Sequence, residues 1–227
     1  SRDVVSKMIA GEYTAKQAYR AFNAQLLAEE EPAADEPVLT SGKSYSNVFH
    51  ANGGNAAFSV MANTLRGVYG TDVLLATANS FTGSVLKADY TQKMADSMIM
   101  PNGLLSRQRT MTGAELKETV RAYVEGCEGG FVSFNRGSLP IVSGIAVEVK
   151  EASGSYTLTG ITRNGQPLRD DDTVTVTCLA AEKQMEALLA SESGTSAGED
   201  TWVKNTWHDH VSGGAALAEP ENYMTLR

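Results

Sequence analysis

The side chains best able to hold a metal or move a proton are scarce in this chain of 227 residues, which has three histidines. His208 and His210 stand together as His-Asp-His, while His50 lies far away in sequence. Metal-dependent hydrolysis needs several His, Asp or Asn ligands around an ion that keeps one position open. A single His-x-His in a polar stretch reads instead as a solvated helix end. A serine nucleophile would need a partner histidine and a strained, glycine-flanked turn between a strand and a helix, and neither is expected here. Asp170-Asp171-Asp172 has the composition of an acid/base or Ca²⁺ cluster, but its place between the Gly165 turn and a strand makes it a solvated loop. Gly53-Gly54, just before a helix, offers backbone N–H groups to an anion without the spacing of a nucleotide-binding glycine loop. The expectation is a chain with no self-sufficient hydrolytic centre.

Composition narrows the function classes further. Nineteen basic residues face 27 acidic ones, for a formal net charge of -8, and no Lys/Arg stripe interrupts the pattern. A phosphate-neutralising nucleic-acid face is therefore excluded. Hydrophobic residues make up 42% of the chain, enough for a sizeable core. No apolar run reaches the roughly 20 residues that span a bilayer, and Ser1-Arg2-Asp3 does not open a signal peptide. A soluble chain follows as an expectation, with any export signal or anchor outside it. Cys127 and Cys178 lie in unlike contexts, and both a disulfide and two free thiols stay open.

The elements that must position these groups are read from periodicity. Val5, Met8, Ile9, Tyr13, Ala18, Phe22 and Leu26 recur at helical spacing, so residues 1–31 read as a helical segment, the end of an upstream domain or a helix packed back. Thr14 is a candidate cap within it. Residues 32–40 mix prolines, acids and alanines and read as a linker. Residues 41–227 form the main domain. There Phe58, Met61, Ala62 and Leu65 mark a helix and Val73 to Thr77 a buried strand. Thr91 opens a short helix, Leu104 to Met111 alternates as a strand, and Thr112 with Glu115 forms a capping box for the next helix. Ile145 to Glu151, Tyr156 to Thr162 and Val174 to Cys178 read as three strands of one sheet, with Asn164-Gly165 as a turn. Helices are expected again over Glu182 to Leu189 and Thr201 to Val211.

The order of these pieces carries a resemblance. Asn52-Gly53-Gly54-Asn55 opens a helix, Thr71-Asp72-Val73-Leu74-Leu75-Ala76 is a strand, and Asn79-Ser80, Tyr90-Thr91 and Met100-Pro101 follow. Then come Met111 to Lys117, Val142 to Val149, Asn164-Gly165-Gln166-Pro167-Leu168 and Thr173 to Thr177. Over residues 41–227 this resembles the C-terminal domain of the 5'-nucleotidase family, which binds the nucleoside while a separate N-terminal domain holds two metal ions. The resemblance implies an α+β fold with four layers, α/β/β/α. It also implies no catalytic residue and no cofactor in this chain, with divalent metals only where an upstream catalytic domain exists. A nucleoside or nucleotide ligand, an upstream domain of the same chain and an extracellular or cell-surface bacterial location follow from it too.

Matched to the family's motifs, the ligand-holding positions fall on Lys43, Asn47, Asn79, Thr82 and Asn102. Lys43 and Asn47 stand where the family has two arginines, and Thr82 where the Asn-Ser-Gly-Gly-Ile-Arg loop has its arginine. Pro101-Asn102-Gly103-Leu104 replaces a Pro-Phe-Gly-Asn segment that supplies a stacking ring, and no counterpart of the second ring follows Leu179-Ala180-Ala181. Each stacked base contributes on the order of 1–3 kcal/mol, so losing both rings weakens nucleoside binding by roughly tenfold or more. Phe81 and Trp202 are the aromatics that could replace one. Two roles follow: nucleoside-type recognition, or a structural or interaction module whose pocket has decayed. Separately, Val4 to Leu27 resembles the closing helices of extracellular solute-binding lipoproteins.

Overall fold

Two compact units divide the chain, Ser1–Glu36 and Pro37–Arg227. The computed structural model describes residues 36–100, 103–125, 140–181, 194–214 and 216–227, with 10, 11 and 14, so the architecture given is that of the second unit.

Short strands β1 (Leu39–Ser41), β2 (Phe49–His50) and β3 (Gly54–Asn55) lead into helix α1 (Ala56–Tyr69). Asn55 starts that helix by accepting the Phe58 N–H at 3.0 Å. Gly70 ends it at φ 65°, a left-handed cap that costs glycine no Cβ clash. Next come β4 (Val73–Ala76), buried along its length, a 3₁₀ turn at Ala78–Ser80, β5 (Ala88–Tyr90) and α2 (Gln92–Asp96). β6 (Leu104–Thr112) then runs directly into α3 (Gly113–Glu125). The expected capping box is formed: Thr112 N–H donates to Glu115 Oε2 at 2.7 Å, and Glu115 N–H donates to Thr112 Oγ1 at 3.2 Å. The remaining strands are β7 (Ile141–Ser143), β8 (Ala146–Ala152), β9 (Ser155–Arg163), β10 (Gln166–Pro167), β11 (Thr173–Ala181), β12 (Thr195–Ser196) and β13 (Thr201–Trp202). Helix α4 (Val203–Ser212) and β14 (Met224–Leu226) close the chain.

Among the described residues the strands form a large sheet in the order β12-β6-β11-β4-β7, with β13 also on β6, and a smaller one, β10-β9-β8-β14. β1 pairs with β5 and β2 with β3 as separate ribbons. In the large sheet β11 and β4 run parallel, and β6 and β7 run antiparallel to them. Side chains alternate across a strand, so Thr177, Leu74 and Ser143 share one face, and Cys178, Leu75 and Val142 the other. Helix α1 covers the first face, where Asn63 meets Ser143. Helix α3 covers the second, where Tyr123 lies against Cys178. Because α3 also packs on β9, it touches both sheets. Helix α4 packs on β6, β13 and α2, anchored by the fully buried Trp207, whose Nε1–H donates to the Ala95 carbonyl at 2.8 Å.

The architecture departs from the sequence expectations at β11, at β1 and at β13, where Thr201 and Trp202, read as the start of the last helix, are strand. β11 does not join β8 and β9: it sits at the centre of the large sheet between β6 and β4. Its Val174, Val176 and Cys178 are fully buried, and so is Thr177 on the opposite face, as a central strand requires. Leu39 and Thr40, read as linker, belong to β1; Leu39 is in the core, and Val38 N–H donates to the Tyr90 carbonyl at 2.9 Å. A run this short carries too little alternation to register as a strand. The helices read within 1–31 and 182–189, and Cys127, lie outside the described residues. Cys178 is a free, buried thiol.

Candidate functional site

Parallel β4 and β11 end where antiparallel β6 begins, so Ala78–Ser80, Leu104 and Ala181 meet at one end of the large sheet. Of the expected ligand-holding positions, Asn79 stands at this end. Asn79 is exposed there, and no hydrogen bond from the described residues engages its amide. Thr82 is already bonded: its hydroxyl donates to the Ser97 carbonyl and its N–H to the Met98 carbonyl at 2.9 Å. Asn102 lies outside the described residues.

Lys43 and Asn47 are also committed elsewhere. Lys43 Nζ pairs with Glu219 Oε1 at 2.8 Å while Tyr45 Oη donates to Oε2 at 3.1 Å. The Glu219 hydrogen bond and charge raise the lysine pKa, and the same contact lowers that of Glu219. Asn47 Oδ1 accepts from Ser84 Oγ at 3.1 Å, and its carbonyl accepts from Asn55 Nδ2 at 2.6 Å. Lys43, Asn47 and Thr82 therefore hold loops together, and of the described candidates Asn79 alone has no side-chain hydrogen bond to the described residues.

The aromatics divide in the same way. Phe81 is buried, its ring centroid 5.7 Å from that of Phe58, and Leu104 is buried as well. Trp202 is 51% exposed on β13, which pairs with Leu105 of β6, and β11 separates β6 from β4.

The histidines do not converge. His208 Nδ1 lies 2.9 Å from Asp96 Oδ2 between α4 and α2, His50 is exposed on β2, and His210 is partly buried, which lowers its pKa. Among the described residues no three His, Cys, Asp or Glu side chains are placed to hold a metal. Asp170 pairs with Lys117, Asp171 pairs with Arg169, and Asp172 Oδ2 accepts the Arg169 N–H at 2.9 Å, which makes this run a self-bonded turn. The N–H donors at Gly53-Gly54 are not offered to an anion. Gly53 N–H donates to the Met224 carbonyl at 2.7 Å, and Asn55 N–H to Tyr223 Oη at 3.0 Å, with the tyrosine ring filling the space over Gly54.

Motif reading missed a polar cleft of about 320 Å³ at the opposite end of β4. It lies among Arg66 of α1, Asp72 before β4, Gly144, Arg163 and Asn164 at the end of β9, and the C-terminal pair Glu221 and Asn222. Arg163 Nη2 pairs with Asp72 Oδ1, and Asp72 Oδ2 accepts the Thr175 N–H at 2.9 Å and its hydroxyl at 3.0 Å. Arg66 donates from Nε to Ser143 Oγ at 2.7 Å and from Nη2 to Glu221 Oε1 at 3.2 Å; Glu221 Oε2 accepts the Gly144 N–H at 3.1 Å. Burial would raise the Asp72 pKa, but the Thr175 hydrogen bonds and the Arg163 and Arg66 charges outweigh it and hold the carboxyl below its ordinary range. The Asn164-Gly165 turn at this rim was legible in the sequence.

No protein-family model matches the chain, and no curated protein matches it in sequence. Solved structures do. A 5'-nucleotidase precursor from Thermus thermophilus superposes with a TM-score of 0.59 at 14% identity, covering 93% of this chain and 43% of its own. The NAD nucleotidase NadN of Haemophilus influenzae gives 0.59 at 17%, covering 95% and 42%. The sulfate thiohydrolase SoxB of Thermus thermophilus gives 0.63 at 13%, covering 93% and 39%. The chain thus spans less than half the length of each of these proteins. At this identity the likeness concerns architecture: the chain has the α+β fold of the 5'-nucleotidase C-terminal domain.

Proposed function

We propose that the chain is the non-catalytic partner domain of a larger 5'-nucleotidase-like protein, bacterial and extracellular or cell-surface, and that it serves there as a structural or interaction module. The observation that carries this reading is the ring of Phe81, which packs on Phe58 in the core, where an open nucleoside cleft would need room; Leu104 is buried in the same core. Lys43, Asn47 and Thr82 support it, since each makes a side-chain hydrogen bond to a neighbouring loop. Hydrolysis belongs, on this reading, to an upstream domain that carries the metals.

Nucleoside-type recognition is the second reading, favoured by the free amide of Asn79 and the exposed indole of Trp202 at the same end of the large sheet. Calorimetry against a panel of nucleosides and nucleotides separates the two. The module reading expects no saturable heat up to about 1 mM ligand. Saturable binding that is lost in both Asn79→Ala and Trp202→Ala would replace it with the recognition reading.

A further inference from the structure

We propose that the cleft between α1, the start of β4, the β9–β10 turn and the C-terminal segment binds a small oxyanion, the carboxylate or phosphate group of a small molecule. Acceptors and donors in the cleft are unequally spent. Both oxygens of Asp72 are engaged, one by Arg163 and one by Thr175, and both oxygens of Glu221 are engaged, by Arg66 and by the Gly144 N–H. The acids are thus already supplied with donors and do not call for a cation.

The donors are not used up. Among the described residues, Arg163 spends Nη2 on Asp72 and leaves Nε and Nη1 without a partner, though its side chain is 29% exposed on the cleft wall. Arg66 Nη1 has one long contact, 3.5 Å to the Asp72 carbonyl. The side-chain amides of Asn164 and Asn222, which also line the cleft, make no hydrogen bond to the described residues. A guanidinium with N–H groups to spare matches the two oxygens of a carboxylate or phosphate in a bidentate fork. Staples joining α1 to the C-terminal segment and β9 to the start of β4 account for the ion pairs but not for this surplus.

The setting also fits. Asp72 cancels one arginine and Glu221 the other, so the cleft is locally neutral in a chain of net charge -8. With no net attraction in the cleft, capture of an oxyanion relies on the spare N–H donors. A volume of about 320 Å³ suits a ligand of a few heavy atoms. The cleft lies at the other end of β4 from Asn79, so it stands or falls independently of the sheet-end reading.

The test is a titration of the whole chain with inorganic phosphate and, separately, with succinate, followed by amide ¹H–¹⁵N shifts against sodium chloride at matched ionic strength. Saturable shifts at Gly144, Gly165 and Asn222 are expected with at least one probe, and the tighter probe identifies the group recognised. Arg163→Lys keeps the charge beside Asp72 and the fold but loses the planar fork, so binding is expected to weaken by about tenfold. Asn222→Ala, which removes no side-chain hydrogen bond to the described residues, is expected to weaken it as well. No saturable shift at those amides up to about 50 mM of either probe overturns the proposal. Shifts whose midpoint is unchanged in both variants overturn it equally.

Discussion

A side chain has no room at Gly144. A Cβ there would stand 2.1 Å from the Asp72 carbonyl oxygen, and the backbone φ is 82°. Gly144→Ala is therefore expected to destabilise the fold by about 2–4 kcal/mol, seen as a lower urea midpoint at unchanged slope. Asp72 itself makes stability depend on pH. Its folded pKa is depressed, so its contribution is complete above its unfolded value of about 4 and is lost as pH falls through the lower folded value. Asp72→Asn should be less stable at neutral pH and show a shallower acid-unfolding limb below about pH 4. Cys178 goes the other way: burial pushes its thiol up to about 12, against the opposing Tyr123 hydrogen bond and the Arg109 and Arg107 charges. Peptide mapping after iodoacetamide at about pH 8 should find Cys178 unmodified in the native chain and alkylated in urea. None of these three roles is visible in residue order. Asp72 sits in a recognisable strand start, yet its partners Arg66, Arg163 and Thr175 come from three separate elements.

At the scale of elements, local chemistry was more legible. The Thr112/Glu115 box can be seen in a single short run of residues because a helix cap is satisfied within one turn. Thr112→Val, which keeps the shape and removes the acceptor, should cost about 1 kcal/mol in equilibrium unfolding. Glu115 Oε1 also accepts the Gly194 N–H at 3.1 Å, so the same carboxylate ties the chain entering β12 to α3. Trp207 is the opposite case. Its place in a helix is readable from spacing, but its role as the anchor joining α4 to α2 depends on a carbonyl 112 residues away. Trp207→Ala should cost about 3–5 kcal/mol through the cavity and the lost hydrogen bond, read from the same urea unfolding. β11 shows why pairing is less legible than existence: alternating Val and Thr announces a strand, while its neighbours β6 and β4 are chosen by long-range packing.

For the whole molecule, the C-terminal segment decides whether the second unit closes. Tyr223 and Met224 are buried, β14 pairs in parallel with β8, and Tyr223 N–H donates to the Gly53 carbonyl at 3.3 Å. A chain ending at Ser212 is expected to lose cooperative thermal unfolding, whereas residues 37–227 alone should melt in a single transition, both read by circular dichroism. Residue order was enough to find helices α1 to α4 and the five longest strands, β4, β6, β8, β9 and β11, and to show that the chain is acidic; each depends on near neighbours or on composition. Tertiary structure alone decided that Phe81 and Leu104 fill the core, that Lys43, Asn47 and Thr82 are spent on loops, and that Arg66, Asp72, Arg163 and Glu221 surround one cleft. The reason is physical: a side chain's role is set by which partner reaches its polar atoms first, and here most of those partners arrive from distant parts of the chain.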